Sequence, residues 1–183
     1  VNIFEARDRI GGHTATYDVQ LGARRFAIDT GFIVYNDRNY PNLVSLFDEL
    51  GVTTHETSMG FSVCDEATGL EYAGNNLNTL FAQRGNLLSP SFLGMVREIL
   101  RFNKLAVSDL DAGRLSPNQT VGDYLSNNGF SDHFARQYLL AMTSAIWSAD
   151  AEDAQDFPLE FFVRFFRNHG LLSLKDRPQW RVV

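Results

Sequence analysis

The chain has 183 residues, long enough for one or two domains with a buried core. A net charge of −6 excludes the clustered basic surface of a non-specific nucleic-acid binder, and a lone cysteine, Cys64, excludes an internal disulfide. Hydrophobic (44%) and charged (21%) contents are ordinary for a soluble globular protein, and no apolar run approaches the ~20 residues of a membrane-spanning helix. Single-cysteine usage suits a reducing compartment, so the expected location is cytoplasmic, with no integral membrane segment and no nucleic-acid partner.

In chain order, residues 1–5 read as a short apolar strand ending in an acid, followed by a turn at Gly11-Gly12. Residues 15–20 and 24–29 read as two strands joined at Gly22, a hairpin. Residues 38–50 predict a helix, because Leu43, Leu46, Phe47 and Leu50 recur at helical spacing and Gly51 stops it. Residues 52–55 suit a short strand. Residues 59–65 and 70–73 form a second hairpin around a turn at 67–69, and a short helix is expected over 77–83. Ser89-Pro90 is an N-cap followed by proline in the first turn. The helix it opens has Phe92, Val96, Ile99, Leu100 and Leu105 as its apolar stripe. After a loop over 111–118, Thr120 and Asp123 stand at the spacing of a capping pair, and Gly129 ends the helix they begin. One long helix is expected over 131–147, with Phe134, Tyr138, Leu139 and Met142 inward. A last helix, rich in phenylalanine, spans 158–168 before Gly170.

The opening stretch carries the chemistry. In a dinucleotide-binding unit the second strand ends in an Asp or Glu that accepts hydrogen bonds from the adenosine ribose. Glu5 has that position. The glycine pair Gly11-Gly12 lets backbone N–H groups approach a pyrophosphate with no Cβ in the way.

The run Glu5-Ala-Arg-Asp-Arg9-Ile-Gly11-Gly12-His13-Thr14 resembles the second nucleotide motif of the flavin amine oxidase superfamily. Asp29-Thr30-Gly31-Phe32 resembles that family's next landmark, a turn lying against the flavin ring. The runs Asp29 to Asn36, Tyr40 to Leu43 and Ala145 to Ser148 are most similar to a bacterial subgroup of NAD/FAD-binding oxidoreductases. The resemblance implies FAD as cofactor. It implies Glu5 on the ribose, Arg9, Gly11, Gly12 and His13 around the diphosphate, and Gly31, Phe32 and Ile33 against the isoalloxazine. The family often has an arginine directly after the glycine doublet, where this chain has His13. Phe61 and Trp147 are expected to line the substrate pocket, with core packing the competing role for each. No acid–base catalytic residue is indicated.

The expected fold class is α/β plus α: a partial FAD/NAD(P)-binding Rossmann-like domain with an inserted, mostly helical substrate domain containing a small β-hairpin. The boundaries expected are 1–57 for the partial FAD domain, 58–175 for the helical substrate domain and 176–183 for the start of a return strand. The Gly-x-Gly-x-x-Gly loop that precedes the ribose acid in such units is not in the sequence, so the chain reads as an internal piece of a longer flavoprotein. The function implied is hydride transfer from a C–N or C–C bond of an apolar small substrate to flavin. The alternatives are an NAD-binding dehydrogenase and a non-catalytic dinucleotide-binding module. His55, His133 and His169 have no partners at metal-ligand spacing, and no metal is expected. No nucleophile-elbow or Walker sequence supports hydrolase or NTPase chemistry.

Overall fold

The computed structural model describes the chain except Val1, Ile3, Phe32, Ile33, Ala149 and residues 174–176, with the backbone alone at Ala151 and Glu152. In chain order the elements are β1 (Ala15–Leu21), β2 (Arg24–Thr30), β3 (Tyr35–Asn36), α1 (Pro41–Leu50), β4 (His55–Thr57), β5 (Ser62–Asp65), β6 (Leu70–Ala73), α2 (Leu77–Leu80), α3 (Pro90–Asp111), α4 (Val121–Asn127), α5 (Asp132–Phe134), α6 (Ala141–Trp147), α7 (Ala151–Gln155), α8 (Leu159–Asn168) and β7 (Trp180–Val182). The architecture is mixed α/β. The chain divides into two compact units, Val1–Ser58 with Gln179–Val183, and Met59–Pro178.

In the first unit β1 and β2 form an antiparallel ribbon in continuous register from Ala15 opposite Thr30 to Leu21 opposite Arg24. Gly22, at φ 62°, occupies the first position of the two-residue loop, where a tight hairpin turn needs a positive φ. The pairs Tyr17–Ile28 and Val19–Phe26 place the apolar side chains on one face of the ribbon, and all four are exposed. β7 lies between β3 and β4, antiparallel to both. Helix α1 begins at Pro41, three residues later than the sequence suggests, because the residue before a proline is disfavoured in helix. It ends at Gly51 in the left-handed region, where Val52 N–H reaches Phe47 O at 2.9 Å to close a Schellman cap.

One expectation fails here and another is not shown. Asn2, Phe4 and Glu5 are not in a strand. A strand exists only through its ladder with a neighbour, and no described strand pairs with this stretch. All described strand pairs are antiparallel, so the parallel βαβ pairing of a Rossmann-like half is not among the described residues.

The second unit is organised by α3. Ser89 Oγ accepts from Phe92 N–H at its head, with Pro90 in the first turn. The buried stripe is Phe92, Met95, Phe102, Asn103 and Ala106. This differs from the expected stripe: Val96, Ile99 and Leu105 pack only partly against the core, and Leu100 is exposed. The reason is Phe102, whose ring meets those of Tyr124, Phe130, Phe134 and Phe162 within 5.7–6.3 Å and turns that side of the helix inward. Leu159, Phe162, Val163 and Phe166 of α8 supply the opposing face. Helix α4 carries the expected capping box, with Thr120 and Asp123 each accepting from the other's backbone N–H.

The single helix expected over 131–147 is interrupted. After the short turn of α5, residues Ala135–Leu140 wind as a π-helix before α6 resumes. The wider turn shifts the side-chain phase, so the neighbours Leu139 and Leu140 are both buried, followed by Met142 and Thr143. Helix α2 is also shorter than expected, ending at Leu80 after an Asn76–Thr79 capping box. The β5–β6 hairpin is locked to the π-helix, since Gln137 donates to Asp65 Oδ2 at 2.5 Å and Tyr72 Oη donates to Gln137 O at 2.6 Å. Hydrogen bonds from Thr68 and Gln137 hold the Asp65 carboxyl below its ordinary pKa.

Burial pushes the phenol of Tyr138 up to about 12, and burial likewise raises Tyr72 and Tyr124 above the ordinary tyrosine value. A folded pKa above the unfolded one means the folded state holds the proton more tightly. The associated stability is complete below about pH 10 and is lost as pH rises toward 12 and beyond. Alkaline titration followed by far-ultraviolet circular dichroism is expected to unfold this unit above about pH 10. Ionisation of Tyr72, Tyr124 and Tyr138, resolved by NMR of ring-labelled protein, should accompany unfolding; their ionisation well before any loss of helix would contradict these shifts.

Candidate functional site

The loop between Glu5 and Thr14 is held by its own side chains. Glu5 is exposed, and its Oε1 accepts from Arg7 N–H at 2.9 Å. Arg9 folds its guanidinium back on the loop, donating to the carbonyls of Gly12 at 2.6 Å, Thr14 at 3.0 Å and Ile10 at 3.5 Å. Three carbonyls that would otherwise face one another are thereby gathered around one cation, which sets the curvature of the turn.

The two glycines of the doublet do different work. Gly11 has φ 111°, and a Cβ there would lie 2.7 Å from Thr14 O, so backbone conformation and space both demand glycine. Gly12 has φ 58°, but a Cβ there would meet nothing within 4 Å. Its backbone faces open space. That space belongs to a cleft of about 710 Å³ lined by residues that include Arg7, Arg9, Gly12, His13 and Gly31. Two guanidinium groups, an imidazole and a bare glycine backbone form a donor set suited to an anion such as a diphosphate. The residues present therefore fit the phosphate portion of a dinucleotide.

Gly31, after β2, lines the same cleft. Its φ is 92°, and a Cβ would fall 1.9 Å from His13 O. The side chain it lacks would occupy the backbone of His13, so in this structure Gly31 brings the end of the ribbon directly onto the glycine loop. Asp29, its neighbour in the landmark, accepts from Thr16 Oγ1 at 2.6 Å across the ribbon. Thr30 Oγ1 donates to Ala15 O at 3.1 Å and closes the same end. Further on, Tyr35 and Asn36 are buried; Asn36 Oδ1 accepts from Asn39 N–H at 2.8 Å, while its buried Nδ2 has no hydrogen-bond partner among the described residues.

Of the residues singled out in the sequence, Arg9, Gly12, His13 and Gly31 line one cleft. Gly11 shapes its loop without lining it, Glu5 lies on the approach to that loop, and Phe32 and Ile33 fall outside the described residues. Phe61 and Trp147 belong to the other unit. Phe61 is partly buried with its ring edge-on to Tyr138, 6.3 Å between centroids. Trp147 stacks on Phe157 at 5.0 Å and contacts Phe165 at 4.7 Å, and Phe161, Phe162 and Phe166 complete its surroundings. Both side chains thus pack on the helical core. Sequence reasoning missed Arg7, Thr14, Tyr17 and Thr30 in the cleft. The signal for Arg7 was its place in the Glu-x-Arg-x-Arg run; for Tyr17 and Thr30 it was their alternation on paired strands, which only the register reveals.

No helix among the described residues is long and apolar enough to cross a membrane. No curated protein matches the chain. The family of flavin containing amine oxidoreductases matches residues 1–173, a span that includes both the glycine-loop cleft and nearly all of the helical unit. Members of that family use a flavin, FAD, to carry out oxidoreduction. Because the match spans residues 1–173 of the 183, the chain belongs to the flavin containing amine oxidoreductases.

Proposed function

We propose that this chain is the adenosine-diphosphate-binding and substrate-shaping part of an FAD-dependent oxidoreductase of the amine oxidase type. The observation that carries the reading is the cleft at the glycine loop, where Arg7, His13 and the open backbone of Gly12 converge beside an exposed acid two residues before Arg7. Bound there, FAD supplies a hydride-accepting ring for a substrate C–N or C–C bond. The exposed Glu5 carboxylate accepts hydrogen bonds from the ribose hydroxyls. Arg7 offsets the charge of the diphosphate, His13 offers it a ring N–H, and Gly12 gives it close backbone approach. Arg9 acts mainly on the protein, holding the loop in the shape that presents Gly12, and adds its charge to the cleft. Gly31 fixes the ribbon end that brings Thr30 and the following residues to the same wall.

The helical unit is read as an inserted substrate domain. The chain leaves the first unit at Ser58 and returns to it at Gln179, which supports that reading. Phe61 and Trp147 lie at the edge of an aromatic core and are assigned to the wall of an apolar substrate pocket. The substrate in this reading is a small molecule with a large apolar part, and the single cysteine supports a cytoplasmic location.

The test is the visible absorption spectrum of the protein expressed from its complete gene. A flavin spectrum that bleaches with reductant is expected. A colourless, folded protein that cannot be reconstituted with FAD overturns the proposal. Residues 1–183 alone contain no Gly-x-Gly-x-x-Gly loop and hence no helix N-terminus behind it to receive the pyrophosphate. Isothermal titration of this chain with FAD is therefore expected to show weak binding or none, and tight binding would count against the importance given to that loop.

A further inference from the structure

The outer side of α3 departs from the usual pattern of a helix on a globular core. Inward it buries Phe92, Met95, Phe102 and Ala106. Outward, Leu93, Arg97, Leu100 and Lys104 recur at helical spacing on one stripe, and all four are exposed. A solvated helix face ordinarily carries charged and polar residues. Here leucine and cation alternate. The apolar character continues at the head of the helix, in the turn that ends at Leu88, where Leu87 is exposed and Leu88 is 88% exposed. Arg97 and Lys104 have no ion-pair partner among the described residues. Arg101, at the flank of the stripe, donates to the carbonyls of Asn128 and Gly129 and lies over the Phe130 ring at 4.2 Å, so its charge meets no carboxylate either. Glu98, the acid between them in sequence, is engaged by Ser131, whose N–H it accepts at 2.9 Å. In a chain of net charge −6, three uncompensated cations interleaved with exposed leucines are a local exception.

We propose that the outer stripe of α3, with the Leu87-Leu88 turn at its head, docks on an anionic phospholipid surface. The leucines enter the boundary between headgroups and acyl chains, and Arg97, Arg101 and Lys104 meet the headgroup phosphates. Alternation favours lipid over protein. A protein partner asks for an apolar centre with a polar rim. A headgroup layer accepts the two kinds side by side, because a long cationic side chain lays its stem along the apolar boundary and lifts its charge to the phosphates. No helix among the described residues is long and apolar enough to cross a membrane, so the docking is at the surface. The face lies wholly within the helical unit, and the proposal stands or falls apart from the flavin reading.

The experiment is flotation of the protein expressed from its complete gene with two kinds of vesicle, phosphatidylcholine alone and phosphatidylcholine with phosphatidylserine in equal parts. The protein is expected to float with the anionic vesicles, less so at high salt, and to stay behind with the neutral ones. Arg97→Gln and Lys104→Gln should each weaken binding about fivefold. Leu88→Ser and Leu100→Ser should each weaken it roughly fivefold or more. Arg164→Gln, on α8 and outside the stripe, should change nothing. Circular dichroism of every variant should match that of the unaltered protein, since all five positions are exposed. Flotation with neither vesicle, equal flotation with both, or indifference to the four substitutions on α3 and its turn overturns the proposal. Sensitivity to the cations but not to the leucines also overturns it, by reducing the contact to charge attraction alone. Retention on immobilised polyglutamate, lost in Arg97→Gln and Lys104→Gln, in a protein that binds no vesicle would assign the face to an acidic protein instead.

Discussion

Gly31→Ala is expected to cost about 3 kcal/mol or more and to loosen the β1–β2 ribbon from the glycine loop. Two effects combine. A methyl group at Gly31 would sit 1.9 Å from His13 O, far inside contact distance, and the clashing atom is backbone that cannot rotate away. Overpacking of this kind costs roughly 1–3 kcal/mol even where side chains can adjust. A side chain at φ 92° adds about 1–2 kcal/mol of conformational strain. Gly12→Ala is the informative contrast. Its Cβ would meet nothing, so only a conformational penalty of about 1 kcal/mol is expected, while FAD binding by the complete protein should fall because the methyl group enters the cleft. Hydrogen exchange resolved to the amides of Ala15–Leu21 and Arg24–Thr30 reads the first effect. Unchanged protection in Gly31→Ala would show that the loop and ribbon are not held together in this way.

Phe102→Ala is expected to destabilise the helical unit by about 3–5 kcal/mol, a large part of the roughly 5–15 kcal/mol that keeps a domain folded. Phe102 is fully buried and its ring touches those of α4, α5, α8 and the Phe130 turn, so truncation opens a void bordered by four aromatic side chains. Phe102→Leu fills much of that void and should cost less. Leu100→Ala, two positions away on the same helix, is expected to change stability by no more than about 0.5 kcal/mol, because Leu100 is exposed. Urea unfolding of the three variants measures the order. Equal losses at positions 100 and 102 would mean that the helix buries a different face.

That contrast marks the limit of reading α3 from sequence. Its start is written in Ser89-Pro90, and its amphipathic character in the spacing of its apolar residues. Which apolar residues face inward is not, because Leu100 and Phe102 are both hydrophobic and both lie on plausible stripes. The aromatic partners brought by α4, α5 and α8 decide it. The π-helix at Ala135–Leu140 is of the same kind: local sequence there suits an ordinary helix, and the demands of burying Leu139 and Leu140 together with anchoring Gln137 to the β5–β6 hairpin accompany a wider turn.

The cleft divides similarly. The glycine doublet, the preceding acid and Arg9 were legible because they are a contiguous run with a recognisable order. The use of Arg9 on the carbonyls of its own loop, the presence of Arg7 in the cleft and the contact of Gly31 with His13 were not, since each depends on where the loop closes in space.

By itself the sequence determined the local elements: the hairpin at Gly22, the stop of α1 at Gly51, the caps at Ser89 and at Thr120 with Asp123, and the membership signalled by the opening loop. These are set by interactions within a few residues, where side-chain chemistry and backbone conformation act directly. Only the tertiary structure decided that residues 2, 4 and 5 form no strand, that Phe102 rather than Leu100 is the hub of α3, and that Leu93, Leu100 and Lys104 are left facing solvent. Strand pairing, helix rotation and the faces left uncovered arise from contacts between segments far apart in the chain, and no local pattern encodes which segments will meet.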